Sequence, residues 1–179
     1  MTKITLAVTG SIAAYKAADL VSALTKQGHI VTVLMTQSAT QFITPLTLQV
    51  LSKNKVHTNL MDEAHPEVVN HIDLAKNTEL FLIAPATADT ISRLAQGAAN
   101  DIVTAVALAL PASIPKFVAP AMNTQMYQNP LTQRNIELLR SIGYSQIQPK
   151  AALLACGDYG KGALADIETI ISTISTVLS

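Results

Sequence analysis

The stretch that decides the fold is Ile4-Thr5-Leu6-Ala7-Val8-Thr9-Gly10-Ser11, which a helical pattern of apolar residues follows directly. Apolar and β-branched residues fill positions 4–9 and predict a short buried strand, and the Gly-Ser pair predicts a turn. Apolar residues then recur at helical spacing between Ala13 and Leu24. Gly28 ends this helix before a valine-rich strand at residues 30–35. Strand, turn, helix and strand in this order predict a βαβ unit.

The same alternation of strands and helices continues to the end of the chain. Further strands are predicted at residues 79–84, 116–119 and 145–147, and helices at residues 89–95, 101–110, 130–141 and after Asp166. Parallel strands need such helical crossovers. We therefore expect an α/β fold with one domain over residues 1–179: a Rossmann-like or flavodoxin-like, doubly wound parallel sheet flanked by helices.

The composition favours an oligomer of this chain. Hydrophobic residues make up 49% and charged residues 13% of the sequence, which is poor in charge for a lone soluble monomer. The predicted helix at residues 101–110 is apolar on nearly every side, which a sheet on one face and a second subunit on the other would explain. The alternative is a central helix that its own chain covers.

Charge and cysteine content argue against several classes of partner. Lys+Arg and Asp+Glu both total 12, so no net charge attracts the chain to nucleic acid or to an anionic membrane. The longest apolar run, residues 102–110, is far shorter than the roughly 20 residues of a membrane-spanning helix. The one cysteine, Cys156, excludes an internal disulfide, and no secretory signal pattern opens the chain. We expect a cytoplasmic protein.

A first candidate cradle for a phosphate is the turn at Gly10 and Ser11, where a strand ends and a helix begins. The glycine spacing of a pyrophosphate site is absent, so a monophosphate fits better. The second strand ends at Thr36 and Ser38 without the acidic residue that binds ribose in nicotinamide enzymes. The alternative is that Ser11 and Ser38 only cap helices.

A second cradle follows the strand at residues 79–84, in the stretch Ala84-Pro85-Ala86-Thr87-Ala88-Asp89-Thr90. Open α/β sheets bind ligands at the carboxyl ends of their strands, and small residues there let a flat ring approach the backbone closely. The alternative is that Thr87 or Asp89 only caps the next helix.

Histidine chemistry is expected at His71, in Asn70-His71-Ile72-Asp73, just before the strand that leads to the second cradle. An imidazole there could act as a base near neutral pH. The other three histidines, His29, His57 and His65, have no recognised ligand spacing, so we expect them to be solvated and predict no metal site.

Two further residues carry groups that could act on a bound ligand. Asn123 follows a strand in Pro120-Ala121-Met122-Asn123, and its neutral amide can hold a carboxylate without strongly stabilising the negative charge. Cys156 lies in the glycine-rich residues 154–162, for which we expect a mobile loop, neither helix nor strand, that can close over a ligand. Its thiol could deliver a proton there. The alternatives are a turn asparagine and a buried cysteine.

Taken together, five motifs resemble those of the homo-oligomeric flavin-containing cysteine decarboxylases, and the likeness covers nearly the whole chain. They are Gly10-Ser11-Ile12-Ala13-Ala14-Tyr15-Lys16, Asn70-His71-Ile72-Asp73, Ala84-Pro85-Ala86-Thr87-Ala88, Pro120-Ala121-Met122-Asn123 and Leu154-Ala155-Cys156-Gly157. Within that family, the chain most resembles the members that decarboxylate 4'-phosphopantothenoylcysteine to 4'-phosphopantetheine in coenzyme A biosynthesis.

The resemblance implies the cofactor FMN and a role for each residue. FMN would be bound by Gly10, Ser11, Ile12, Thr36, Ser38, Thr87, Ala88, Asp89, Thr90 and Ala121. His71 would be the catalytic histidine, Asn123 would bind the substrate carboxylate beside Met126, and Cys156 would donate the proton. The reaction would pass through a thioaldehyde, whose thiocarbonyl accepts electrons as carbon dioxide leaves, and an enethiolate.

The family likeness also implies partners and leaves alternatives. Trimers or multiples of trimers are expected, with FMN between subunits, and a separate ligase would make the cysteine adduct. The chain departs from the family pattern at two positions: Asp89 stands where relatives often carry asparagine, and Tyr127 where they often carry tryptophan. The role of Lys16 stays open. The alternatives are a flavin prenyltransferase, a peptidyl-cysteine decarboxylase, or a non-catalytic FMN-binding regulatory subunit.

Overall fold

The chain folds into a six-stranded parallel sheet with helices on both faces, as a computed structural model describes it for residues 1–63 and 66–178. The strands of this sheet are β1 (Lys3–Val8), β2 (Ile30–Met35), β3 (Val56–His57), β4 (Leu80–Ala86), β5 (Lys116–Pro120) and β6 (Tyr144–Gln146). A separate two-stranded antiparallel hairpin consists of β7 (Lys150–Leu153) and β8 (Tyr159–Ala163).

Eight α-helices connect or flank these strands in the described residues. They are α1 (Ala17–Lys26), α2 (Pro45–Ser52), α3 (Asn70–Lys76), α4 (Ala88–Ala95), α5 (Ile102–Ala109), α6 (Thr124–Gln128), α7 (Pro130–Ser141) and α8 (Ile167–Ser175). Short 3-10 turns at Ile12–Lys16 and Ala39–Gln41 follow β1 and β2. No helix within the described residues is both long enough and apolar enough to cross a membrane.

The strand order is β3-β2-β1-β4-β5-β6, which is the Rossmann order of a doubly wound sheet. The predicted fold class is therefore confirmed. The order reverses between β1 and β4, and a crevice opens at such a switch point beyond the carboxyl ends of the strands. The two predicted cradles follow these two strands and so lie on either side of the crevice.

Two apolar clusters, one on each face of the sheet, hold the layers together. Alternate residues of β1 point to opposite faces: Leu6 packs with α1, α2 and α8, whereas Ala7 packs with α3, α4, α5 and α7. In β4 all seven residues are buried, as expected for a central parallel strand covered on both faces.

The structure corrects two predictions about helices. The first predicted helix is divided, because Ser11 starts a 3-10 turn and the α-helix begins only at Ala17. In α5, the residues from Ile102 to Ala107 are buried within this chain, and only Leu108 is strongly exposed, at 61%. The chain itself therefore covers this helix, so the alternative reading of it is correct and α5 is no evidence for a second subunit.

Candidate active site

Two cavities lie at the carboxyl edge of the sheet, side by side. The first has a volume of about 520 Å³ and the second about 390 Å³, and Ser11, Ala121 and Met122 line both. Their volumes fall in the range of small-molecule sites. The crevice at the switch point therefore offers two adjoining chambers.

The first cavity joins the two predicted cradles. All but one of the predicted cofactor residues line it, together with Met126: Gly10, Ser11, Thr36, Ser38, Thr87, Ala88, Asp89, Thr90 and Ala121. The remaining one, Ile12, lines the second cavity with Lys16.

A buried threonine ties the two cradles to each other. The hydroxyl of Thr9 donates to the carbonyl of Pro85 over 2.6 Å and accepts from the backbone N–H of Thr87 over 3.0 Å. Thr9 has no exposed surface. Both bonds join segments that are 76 or more residues apart in sequence, so this one side chain links the two cradles directly.

Gly10 lets two loops of the first cavity meet. A Cβ atom on Gly10 would lie 2.4 Å from Cβ of Ser38, which is closer than two such atoms can approach. Only glycine therefore allows the turn after β1 to pack against the loop after β2.

Two of the polar residues that line this cavity also cap a helix or turn. Ser11 caps the 3-10 turn by accepting from the N–H of Ala13 over 3.2 Å, and Thr87 caps α4 by accepting from the N–H of Thr90 over 3.2 Å. Ser38 makes no capping bond with its side chain. The hydroxyl of Ser11 acts as an acceptor in its cap, so its own proton can still be donated to a ligand. The hydroxyl of Thr87 instead donates to Oγ1 of Thr90 over 3.1 Å.

Sequence reasoning missed four polar residues of the first cavity: Gln37, Arg93, Asn100 and Asp101. Arg93 donates to Asp89 over 2.8 Å and to Asn100 over 3.0 Å. The bond to Asp89, followed by the charge of that carboxylate, raises the pKa of Arg93. The spacing of four residues between Asp89 and Arg93 within one helix was the signal that could have revealed this pair.

The second cavity brings Asn123 and Cys156 together. The side-chain nitrogen Nδ2 of Asn123 donates to Sγ of Cys156 over 3.3 Å. The amide oxygen of Asn123 accepts from the N–H of Gln125 over 2.8 Å, which fixes the nitrogen on the cavity side. Sγ also lies 3.5 Å from Oδ2 of Asp158.

The prediction of an irregular loop at residues 154–162 was wrong in part, because β8 begins at Tyr159. Only the five residues between β7 and β8 form the turn, which the bonds from Gly157 N–H to the Leu154 carbonyl and from Leu154 N–H to the Asp158 carbonyl close. Gly157 adopts φ of +89°, the left-handed conformation that such a hairpin turn requires. Cys156 is therefore exposed at the tip of a hairpin.

His71 lines neither cavity. It lies in the first turn of α3, where the backbone N–H of Asn70 donates to Glu63 over 2.8 Å. Its ring nitrogen Nδ1 is buried and has no hydrogen-bond partner among the described residues, and the same is true of Nδ2 of Asn70. The structure therefore does not bring His71 to Asn123 and Cys156 within one chain.

The other histidines differ from the prediction that they are solvated. His29 and His57 are half-buried, and Nδ1 of each is buried. Burial, followed by the nearby charge of Lys55, lowers the pKa of His57. His65 lies outside the described residues. Within the described residues, 1–63 and 66–178, no group of three His, Cys, Asp or Glu side chains could hold a metal ion.

Tyr127, which stands where relatives often carry tryptophan, makes specific contacts with its neighbours. Tyr127 is buried, and its hydroxyl accepts from Nε2 of Gln146 over 2.9 Å. The ammonium of Lys161, on β8, lies 5.8 Å from the centre of its ring. Tyr127 therefore links α6 both to β6 and to the hairpin.

Comparison with known proteins agrees with this geometry. The family model described as "Flavoprotein" matches residues 1–179. The chain is 64% identical over 98% of both lengths to a probable phosphopantothenoylcysteine decarboxylase of Streptococcus mutans. It is 46% identical to the coenzyme A biosynthesis bifunctional protein CoaBC of Bacillus subtilis, covering 93% of this chain but only 40% of that protein.

Solved structures share the whole architecture. A mutant PPC decarboxylase complexed with pantothenoylaminoethenethiol matches with a TM-score of 0.90 and 33% identity, over 99% of this chain and 98% of that one. The FMN-binding protein AtHal3 matches with a TM-score of 0.86 and 34% identity, over 98% and 96% of the two chains. Since the family model covers every residue, this chain belongs to the flavoprotein family.

Proposed function

We propose that this chain uses FMN to decarboxylate 4'-phosphopantothenoylcysteine to 4'-phosphopantetheine in coenzyme A biosynthesis. The observation that carries the proposal is the contact between an amide and a thiol, Asn123 and Cys156, in a cavity that adjoins the phosphate cradle. The similarity to a probable phosphopantothenoylcysteine decarboxylase supports the substrate.

The residues of the first cavity fit FMN. The close approach of Gly10 to Ser38 holds the two loops of the cradle together, and backbone N–H groups at the start of α4 suit a phosphate. The hydroxyls of Ser11 and Ser38 can donate to phosphate oxygens, and Arg93 offers a positive charge. Ala88 and Ala121 leave room for a flat ring.

Bound FMN would supply two-electron chemistry by taking a hydride equivalent from the thiol substrate and returning it. Asn123 would hold the substrate carboxylate. Its Nδ2 carries two hydrogens, so one can bind Cys156 while the other binds the carboxylate. Because the amide is neutral, it orients this group without strongly opposing its loss as carbon dioxide.

Cys156 would supply the proton that completes the reduced product. Its thiol is exposed at the tip of the hairpin and within hydrogen-bond distance of Asn123. A proton donor must lie close to the carbon that it protonates, and a thiol beside the amide that holds the carboxylate would lie near the carbon from which carbon dioxide leaves. A thiol that has to stay reduced also supports a cytoplasmic location.

His71 would act as the base from a neighbouring subunit. It lines neither cavity of its own chain, so a catalytic role requires a homo-oligomer, for which we propose a trimer or a multiple of trimers. Exposed apolar side chains at the second cavity support such contacts: Ile12 is 59%, Tyr15 56% and Leu153 71% exposed.

The decisive experiment supplies the purified chain with FMN and 4'-phosphopantothenoylcysteine and identifies the product by mass spectrometry. We expect 4'-phosphopantetheine and carbon dioxide in equal amounts. A protein that binds FMN and leaves this thiol unchanged would be a binding subunit instead.

The thiol acid itself must come from a reaction that joins cysteine to a phosphorylated acid, for which we propose a separate ligase.

The shared site is tested by mixing two inactive variants, His71→Asn and Asn123→Ala, in one assembly. If His71 acts on a neighbouring chain, mixed assemblies contain some sites with both groups intact, and activity returns. If each His71 serves its own chain, no mixed site is complete and activity stays absent. Analytical ultracentrifugation of the same samples gives the number of subunits.

A further inference from the structure

A further cavity opens at the amino edge of the sheet, opposite the edge that carries the candidate active site. It has a volume of about 210 Å³ and lies where β5 and β6 begin, at Lys116 and Tyr144. A cavity of about 150 Å³ can hold one benzene molecule, whereas drug-sized ligands need roughly 300 Å³ or more. This cavity, the Lys116 cavity, is therefore of a size for one small organic molecule.

The ammonium group of Lys116 is the polar feature of this cavity. Lys116 is only 7% exposed, and it lines the cavity together with Ala112. Its Nζ donates to the carbonyl of Ala112 over 3.1 Å and to the carbonyl of Ile114 over 3.0 Å. An ammonium group has three hydrogens to donate, so one of them has no acceptor among the described residues.

The charge of Lys116 also lacks a partner of opposite sign. In the described part of the chain, the carboxylates that form ion pairs form them with other cations. Buried ions are normally paired, because removing a charge from water is costly. Burial accordingly lowers the pKa of the Lys116 ammonium. An anion in the cavity would supply both the missing charge and the missing acceptor.

The other walls of the cavity are mostly apolar. Leu94, Ala107 and Leu110 are buried there, whereas Leu108 and Ile142 are 61% and 55% exposed. Exposed apolar side chains that adjoin a cavity are typical of binding surfaces. Such walls favour an anion with an apolar part over a fully hydrated inorganic ion.

Tyr144 adds no negative charge to the cavity. Burial raises the pKa of its hydroxyl to about 12, so this group stays protonated near neutral pH. The cavity therefore presents one positive charge to a ligand, which suits a single negative charge better than two.

We propose that the Lys116 cavity binds a small organic monocarboxylate, whose charged end pairs with the ammonium of Lys116 and whose apolar part lies against the leucine and alanine side chains. The apolar part would be about the size of a benzene ring. The inference does not rest on the proposed function, because the cavity shares no residue with the two cavities at the carboxyl edge.

The test uses the full chain saturated with FMN, so that the first cavity is occupied, and measures binding by isothermal titration calorimetry. Benzoate is the probe, and benzamide is its neutral counterpart of nearly the same shape. We expect a Kd for benzoate of about 1 mM or lower, and a Kd for benzamide at least about tenfold higher. Acetate carries the charge without the apolar part, so it should also bind at least about tenfold more weakly than benzoate.

Three variants locate the site. Lys116→Met keeps the length of the side chain without its charge and should bind benzoate no better than benzamide. Ala107→Leu keeps the charge but fills the cavity, so the Kd for benzoate should rise at least about tenfold. Lys26→Met removes an exposed lysine of α1 as the matched control and should leave this Kd within about twofold of the wild-type value. Circular dichroism shows which variants fold.

A crystal structure of the benzoate complex provides the second readout. A carboxylate oxygen should lie within about 3 Å of Nζ of Lys116. Equal affinity for benzoate and benzamide, or benzoate bound only at the carboxyl edge of the sheet, would overturn the inference. Unchanged benzoate binding in a folded Lys116→Met or Ala107→Leu variant would do the same. None of these measurements involves turnover, so they decide the inference even if the chain decarboxylates no thiol.

Discussion

Nδ2 of Asn123 lies 3.3 Å from Sγ of Cys156, although 33 residues separate them in the sequence. Asn123 follows the central strand β5, and Cys156 belongs to a hairpin outside the main sheet. The amide that we propose to hold the carboxylate and the thiol that we propose to donate a proton are thus neighbours in one cavity. The following predictions test this pair and its surroundings.

Cys156→Ser should separate decarboxylation from reduction. A serine hydroxyl is a far weaker acid than a thiol, so carbon dioxide release should continue while reduced product falls by at least about 100-fold. Mass spectrometry should detect a product with two hydrogen atoms fewer than 4'-phosphopantetheine. Formation of the reduced product at the wild-type rate would show that another group donates the proton.

Asn123→Asp should weaken substrate binding more than any neutral change of the same size. The new carboxylate would repel the carboxylate of the substrate, which costs about 1–3 kcal/mol or roughly 5- to 150-fold in kcat/KM. Steady-state kinetics measure this effect, and FMN titration by fluorescence serves as the control, because Asn123 does not line the first cavity. If Asn123→Asp and the wild-type chain have the same kcat/KM, Asn123 does not bind the carboxylate.

Gly10→Ala should impair FMN binding, and Ser38→Gly should partly reverse the effect. The added methyl group meets Cβ of Ser38 at 2.4 Å, so the two loops must separate and the cradle must widen. We expect the Kd for FMN to rise by at least about tenfold, or about 1.4 kcal/mol. The double variant removes the colliding Cβ. If Gly10→Ala binds FMN as tightly as wild type, this turn is not part of the cofactor site.

Thr9→Val should destabilise the fold, because it leaves the carbonyl of Pro85 and the N–H of Thr87 without their buried partner. Loss of a partner for buried polar groups costs about 1–3 kcal/mol. Urea denaturation followed by circular dichroism measures the free energy of unfolding. As a matched control, Thr173→Val removes a solvent-exposed hydrogen bond from the Thr173 hydroxyl to the Thr169 carbonyl. This change should alter the free energy of unfolding by less than about 0.5 kcal/mol.

His57 should make the fold sensitive to mild acid. Burial, then Lys55, lowers its pKa in the folded chain, while Asp62 opposes the shift. The unfolded chain therefore binds a proton more readily as the pH falls through about 6.5, and the free energy of unfolding decreases there. His57→Gln should remove this part of the pH dependence. Unfolding curves for both proteins between about pH 7.5 and 5 provide the measurement, and parallel profiles would contradict the prediction.

The regular parts of the fold could be predicted because their signals are local. The alternation of apolar strands with helical patterns located β1, β2, β4, β5, α1, α4, α5 and α7 to within a few residues. Short elements were missed, among them β3 with only two residues and the hairpin strands β7 and β8, since glycines in β8 weaken any strand signal. In β8 those glycines allow a close contact with residues that are distant in the sequence. No local pattern predicts such a contact.

The sequence by itself determined that the turns after β1 and β4 would meet at the carboxyl edge of the sheet, because strand ends and helix starts follow from residue type and spacing. Only the tertiary structure decided that Asn123 and Cys156 would meet and that His71 would lie apart from both. These distances depend on how the hairpin packs against residues 122–124 and on where α3 lies on the sheet. Such packing arises from close contacts between segments that are far apart in the chain, so it becomes visible only when the chain is folded.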